Sequence, residues 1–202
     1  MKFFSLFLAL FLLAGPIPSA LADDRHNRAD RVEAELSGYN EVHFIAGNPT
    51  VTPVVPPALR GAVSTKASGK FEATIDDKND TIHYTLRYDN LEGTVTQAHI
   101  HFGQRHTVGG IVVWLCQTAA APAPASVNQS TPTCPASGAV SGTIMPAQVL
   151  EAVGQGIAPG EFEEVVAAIR AGRAYANVHS SLFPPGEIRG QIHDDDHRGH
   201  RR

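Results

Sequence analysis

The sequence predicts an all-β domain, an antiparallel β-sandwich or barrel with one or two short helices. Short segments alternate between apolar and polar residues, which is typical of strands with one buried face. The 18 glycines and 14 prolines among 202 residues favour frequent turns over long helices. Helical spacing is credible at two places only. Short antiparallel strands separated by turn residues are the pattern of sandwiches and barrels.

The first half of the chain predicts a short strand over 32–36 and alternation over 61–65. A polar turn at 76–80 separates two alternating segments, 70–75 and 81–88, and this arrangement predicts a β-hairpin. One face of the second hairpin strand carries four apolar side chains: Ile82, Tyr84, Leu86 and Tyr88. We therefore expect that face to be buried.

The second half of the chain predicts five more strands and both helices. The strands are expected at 95–102, 111–115, 140–144, 173–179 and 187–193. The helices are expected at 146–153 and 161–171. Gly172 follows the second helix directly, as glycine commonly does at a helix end.

The chain begins with a segment typical of a secretory signal peptide. Lys2 precedes an apolar run over 3–14, and Ala20-Leu21-Ala22 forms a small-x-small cleavage site. An uncleaved anchor is the alternative, but the run is short for a bilayer. We predict a signal peptide at 1–22, a secreted or periplasmic mature protein, and no membrane span after cleavage. Residues 23–31 are expected to form a flexible start, 32–193 the domain, and 194–202 a disordered His/Asp/Arg tail.

Charge and motifs exclude several classes of function. Sixteen basic against 20 acidic residues give a net charge of −4, which argues against binding a nucleic-acid backbone. The sequence contains no G-x-S-x-G, phosphate-binding P-loop, HExxH or dinucleotide motif. We therefore assign no catalytic residue.

Cys116 and Cys134 are the only cysteines. Export to an oxidising compartment favours a disulfide between them, across a loop rich in Ala, Pro, Ser and Thr. Such a crosslink stabilises the fold by roughly 3 kcal/mol in the loop-entropy treatment. A metal site at these cysteines is less favoured because no histidine is near either of them. A redox-active pair is also less favoured, because the sequence has no CxxC motif.

The most informative segment is Ala98-His99-Ile100-His101-Phe102-Gly103. In a strand, His99 and His101 point to one face, about 6.5 Å apart along the chain, while Ala98 and Ile100 point to the core. The two imidazoles are expected outside the core, on the outer face, able to bind one metal ion together.

Two later segments place further polar residues on outer faces. Alternation turns Asn177 and His179 outward in the strand over 173–179, and Glu187 and Arg189 outward in the next. Three interpretations remain open. The histidines bind a metal, or the four residues form a hydrogen-bonded network between neighbouring strands, or the face recognises another protein.

Three motifs, AHIHFG, GxAYANVHS and PPGEIRGQI, occur here in an order and spacing that resemble the CHRD domain, the module named after chordin. Leu36-Ser37-Gly38-Tyr39-Asn40-Glu41-Val42 is similar to the family's opening pattern. The resemblance implies a secreted β-sandwich module. Since the module also occurs in a large extracellular signalling antagonist, it implies an extracellular protein partner as one alternative.

A more distant resemblance, to Cu/Zn superoxide dismutase, implies a Greek-key barrel with copper on its outer wall. It implies His99, His101 and His179 as copper ligands and Arg189 as an anion-guiding charge. From their outward positions on the same strands, we also expect Asn177 and Glu187 to support the site. The chain departs from the dismutase pattern after His101, where only His106 is available, here as a candidate fourth ligand. We therefore favour a non-enzymatic, copper-binding CHRD module. The alternatives are a copper-dependent, dismutase-like oxidoreductase and a protein-binding or structural module.

Overall fold

The computed structural model describes residues 30–44 and 60–195. The predicted signal peptide, residues 23–29 of the predicted flexible start and residues 196–202 of the predicted tail lie outside the described residues. The first strand begins at Asp30, two residues before the predicted start of the domain, and the last strand ends at Asp194, one residue beyond its predicted end.

The described residues form one large antiparallel sheet and a small two-stranded one. The strands are β1 (Asp30–Ser37), β2 (His43–Phe44), β3 (Arg60–Gly61), β4 (Ser68–Asp76), β5 (Thr81–Asp89), β6 (Val95–Phe102), β7 (Gly110–Cys116), β8 (Gly138–Ile144), β9 (Ala174–Ser180), β10 (Ile188–Gln191) and β11 (His193–Asp194). The large sheet runs β7-β6-β9-β10-β1-β4-β5-β8, with β11 beside β1, and β2 pairs with β3. This nearly closed barrel confirms the predicted all-β, antiparallel class.

The predicted hairpin is formed by β4 and β5, which pair along their whole length. The carboxylate of Asp76 accepts hydrogen bonds from the backbone N–H groups of Lys78 and Asn79, which fixes the polar turn. Asp80 takes a positive φ of 51° to complete it. The predicted apolar face of β5 is fully buried, as alternation required.

The helical predictions differ in outcome. The helix α1 (Phe162–Arg170) confirms the second prediction, and Gly172 follows it with a φ of +64°. The first predicted helix, at 146–153, is a single 3-10 turn, Pro146–Gln148. It stops there because Leu150 donates its backbone N–H to the carbonyl of Val112 on β7, which draws the segment to the edge of the sheet.

Two strand predictions need correction. Of the alternating segment 61–65, only Gly61 lies in a strand, β3 (Arg60–Gly61). The predicted last strand, 187–193, is divided into β10 and β11. The division falls at Ile192, whose backbone N–H donates to the carbonyl of Ala174 on β9 while its neighbours on β11 pair with β1.

The barrel interior is apolar, and its largest fully buried side chains come from several strands. Tyr84 on β5 donates its hydroxyl to the carbonyl of Leu115 on β7, which joins the two margins of the sheet across the core. The predicted Cys116–Cys134 disulfide is present. Among the described residues, no helix has the length and apolar character needed to cross a membrane.

Candidate metal centre

The HxH strand alternates as its sequence predicts, but its outer face is not exposed. Ala98 and Ile100 lie in the hydrophobic core, and His99 and His101 occupy the opposite side of β6. Their exposed fractions are nevertheless 0% and 7%, and that of His179 is 5%. The imidazoles therefore lie on the outer face as expected, but loops from elsewhere in the chain cover this wall of the barrel and bury them.

Strand β9 brings the third histidine to the pair. In the register of β6 and β9, His179 lies opposite Gln97 and therefore diagonal to His99. The ring centroid of His179 is 4.8 Å from that of His99 and 6.3 Å from that of His101. One ligand nitrogen from each ring can be chosen so that all three lie within 4.8 Å of one another. We call these three residues the histidine trio.

Backbone carbonyls fix the tautomers of the histidine trio. Nδ1 of His101 is 3.0 Å from the carbonyl oxygen of Gly109, and Nδ1 of His179 is 2.8 Å from that of Pro184. A carbonyl oxygen only accepts, so each Nδ1 carries a proton and each neutral ring keeps a lone pair on Nε2. Nδ1 of His99 lies 3.2 Å from Nε2 of His179 and donates to it. All three Nε2 atoms are then unprotonated.

Two of these lone pairs have no hydrogen-bond donor. Nε2 of His99 and Nε2 of His101 are buried and unpartnered. Burial lowers the pKa of His99 well below its usual range and that of His101 to about 4, and His179 lowers both pKa values further, so both rings are neutral at pH 7. A buried acceptor without a donor costs about 1–3 kcal/mol. A metal ion is a Lewis acid, which is a partner that an unprotonated imidazole nitrogen can take.

Aromatic residues line two sides of the trio. The ring of Trp114 packs edge-on against His99 with centroids 4.2 Å apart, and Tyr175 stacks on His101. Trp114 stands opposite His99 because β7 is shifted in register between Ala98 and His99. Sequence reasoning missed both aromatic contacts, and the register shift that creates the first has no sequence signal we can name.

Arg189, which alternation places on an outer face, is buried there. Its guanidinium donates to the carbonyls of Thr107 and Gln104 and lies 3.3 Å from the ring centroid of Tyr175. Arg189 therefore ties the segment 103–109, which we call the covering loop, to β10. These contacts also leave its charge poorly placed to guide anions from solvent.

Asn177 joins the trio region to a buried carboxyl group. Its side-chain amide donates to the carboxyl of Glu41 and to the carbonyl of Ile188 on β10. Burial raises the pKa of Glu41 to about 8, although the Arg189 charge acts in the opposite direction. Sequence reasoning did not assign Glu41 to the site. Its position in the opening 36–42 motif was the available signal.

The remaining predicted residues lie apart from the trio. Glu187 is buried, and its carboxylate accepts from the hydroxyl of Thr65 and the backbone N–H of Glu92. It therefore fixes loops rather than supporting an imidazole. His106 is exposed, with a φ of +65°, and does not join the group that could hold a metal. The candidate fourth ligand is thus not brought to the site.

A family model for the CHRD domain matches residues 32–192. The chain belongs to the CHRD domain family. The match covers every strand that carries the histidine trio and the residues that cover it. No curated protein and no solved structure matches the chain. The likeness to superoxide dismutase therefore stays a prediction, whereas the CHRD assignment is established.

Proposed function

We propose that this CHRD domain protein is an exported, non-enzymatic protein that binds one copper ion through His99, His101 and His179. The observation that carries the proposal is the pair of unpartnered Nε2 lone pairs on two of these buried rings. A fold that needed the imidazoles only for structure would be expected to supply a donor to each lone pair. A bound ion supplies that missing partner.

The spacing of the donors supports a first-row metal. Metal–nitrogen bonds of about 2.0–2.1 Å place neighbouring ligand nitrogens about 3–4 Å apart. One nitrogen from each ring of the trio lies within 4.8 Å of the others, so a modest contraction brings the three donors to this spacing. Imidazole suits copper and zinc, and copper is the stronger binder at equal geometry.

Hydrogen bonds to the opposite ring nitrogens support the same function. Metal-bound histidines usually donate their other N–H to a carbonyl or carboxylate, which orients the ring. His101 and His179 already make such bonds to Gly109 and Pro184. The rings are therefore held in an orientation suited to binding.

The two alternatives receive less support. Asn177, Glu41 and Arg189 do connect β9 and β10 to the covering loop, but that network leaves two imidazole nitrogens unpaired. Dismutase-like turnover needs substrate access and a guiding charge, whereas the trio is buried and Arg189 is engaged by carbonyls. The Cys116–Cys134 disulfide favours an oxidising, extracytoplasmic location.

The test is copper binding by the mature chain with residues 196–202 removed, which eliminates loose binding by tail histidines. We expect one copper ion per chain and quenching of Trp114, the single tryptophan, which packs on His99. His101→Gln and His179→Gln should lose both signals. His83→Gln is the matched control, because His83 is exposed on β5 and outside the trio. Copper retained by the His101→Gln/His179→Gln double variant would refute the proposal.

A further inference from the structure

We infer that the histidine trio selects monovalent copper over divalent copper and zinc. The inference rests on the proposed copper-binding function and specifies the ion that the site takes. Its basis is the charge of the donors, their burial, the charges around them and the number of ligands offered.

The donor set carries no negative charge. All three ligands are imidazoles, which bind as neutral groups, and among the described residues no carboxylate or thiolate belongs to the group. The cysteines are unavailable because Cys116 and Cys134 are joined in a disulfide. The full charge of a bound ion therefore remains on the site.

Burial imposes a desolvation cost on the bound ion that rises with the square of the ion's charge. The three rings are almost completely removed from solvent, and the Born cost of transferring an ion from water to a protein interior scales with the square of its charge. A divalent ion thus costs about four times as much as a monovalent ion of similar size. Without an anionic ligand, the fold has no compensation for the difference.

The surroundings add positive rather than negative charge. The guanidinium of Arg189 lies on one side of the Tyr175 ring, and His101 stacks on Tyr175 as well. Burial raises the pKa of Glu41, the carboxyl group that Asn177 holds, which favours its neutral form and weakens its compensation of the Arg189 charge. The local field therefore penalises a second positive charge on the metal.

The ligand number points in the same direction. Divalent copper prefers square-planar or tetragonal coordination by nitrogen and oxygen, which needs at least four ligands. The described chain offers three, and His106 is exposed and outside the group. Monovalent copper has a filled d shell and imposes no such geometry, so a trigonal set of three imidazoles satisfies it.

The test compares three dissociation constants for the mature chain lacking residues 196–202. Cuprous ion is titrated anaerobically against bicinchoninate, cupric ion against nitrilotriacetate, and zinc against a chromogenic chelator. We expect cuprous ion to bind at least 100-fold more tightly than either divalent ion. Cupric ion or zinc binding as tightly as cuprous ion through the trio would overturn the inference while leaving a metal-binding function intact.

Variants of the protein distinguish a failure of cuprous selectivity from a failure of the proposed copper binding. If no copper binds, or if His101→Gln still binds copper, the proposed function itself is wrong. Arg189→Met removes the neighbouring cation and should reduce the ratio of the divalent to the cuprous dissociation constant at least threefold. Arg189→Lys keeps the charge and should leave that ratio unchanged. An unchanged preference in folded Arg189→Met would refute the contribution of that charge. The wild-type comparison decides the inference even if Arg189→Met does not fold.

Discussion

The imidazole of His101 lies parallel to the ring of Tyr175, with centroids 4.7 Å apart and planes 3° apart. The guanidinium of Arg189 lies on the same tyrosine ring, 3.3 Å from its centroid. Tyr175 also accepts a hydrogen bond from the backbone N–H of Gly109, whose carbonyl holds His101. One side chain thus positions a candidate ligand both directly and through the covering loop.

Replacing Tyr175 should weaken copper binding through ring orientation. Stacked aromatic pairs contribute about 0.5–1.5 kcal/mol, so Tyr175→Leu should raise the copper dissociation constant roughly threefold to tenfold. Tyr175→Phe keeps the stack and loses the hydrogen bond from Gly109, so a smaller change is expected. Competition titration of both variants measures the difference. Equal affinity in Tyr175→Leu and wild type would show that the stack does not orient His101.

Gly109 should be intolerant of a side chain because of its place beside β6. A Cβ atom there would lie 1.7 Å from the carbonyl oxygen of Phe102, so the backbone must move. Its carbonyl would then leave Nδ1 of His101, and loss of such a supporting bond typically lowers metal affinity 10–100-fold. We expect this loss for Gly109→Ala, measured by competition titration.

Val108→Ala is the control for that variant. Val108 is the preceding residue of the covering loop and its side chain is exposed, so the substitution should leave copper affinity unchanged. If both variants bind copper as wild type does, the Gly109 carbonyl does not orient His101.

Most long strands of this fold were predictable because each pattern is local. The buried face of β5 follows from alternation within nine residues, and so does the placement of His99 and His101 opposite Ala98 and Ile100. Sequence order and hydropathy carry this information directly.

The burial of the trio was not predictable in the same way. The groups that cover it, including Gly109 and Pro184, are supplied by loops between strands and not by the strand that carries the HxH pattern. Glu41 reaches Asn177 from 136 residues away. Alternation specifies only which face a side chain takes. Whether that face meets solvent depends on tertiary contacts that no local pattern encodes.

Removing the disulfide should destabilise the fold without removing the metal site. The sequence separation of Cys116 and Cys134 is 18, for which the loop-entropy treatment gives about 3 kcal/mol. We expect Cys116→Ser/Cys134→Ser to lose about that much unfolding free energy in urea. Copper stoichiometry should remain one, since neither cysteine belongs to the trio. Loss of copper binding by the folded double variant would mean that the disulfide positions His99.

Stability of the metal-free protein should pass through a maximum as pH changes. The pKa values of His99 and His101 are depressed in the folded state, so their contribution is present above about pH 6.5 and lost as pH falls toward 4. The pKa of Glu41 is raised to about 8 in the folded state. Glu41 therefore contributes fully to folded-state stability below pH 4.5, the pKa it has in the unfolded chain. This contribution is lost as pH rises through 8.

Among these three groups, the proton on Glu41 should therefore dominate the pH dependence of the unfolding free energy between pH 6.5 and 8. The folded state holds a proton that the unfolded state has released, so unfolding free energy should fall by up to about 1.4 kcal/mol per pH unit. Glu41→Gln keeps a neutral side chain of the same size and should abolish the fall. Glu164→Gln, at an exposed position on α1, should retain it. Urea unfolding of the chelator-treated proteins at several pH values measures these slopes, and a fall that persists in Glu41→Gln would assign the proton to another group.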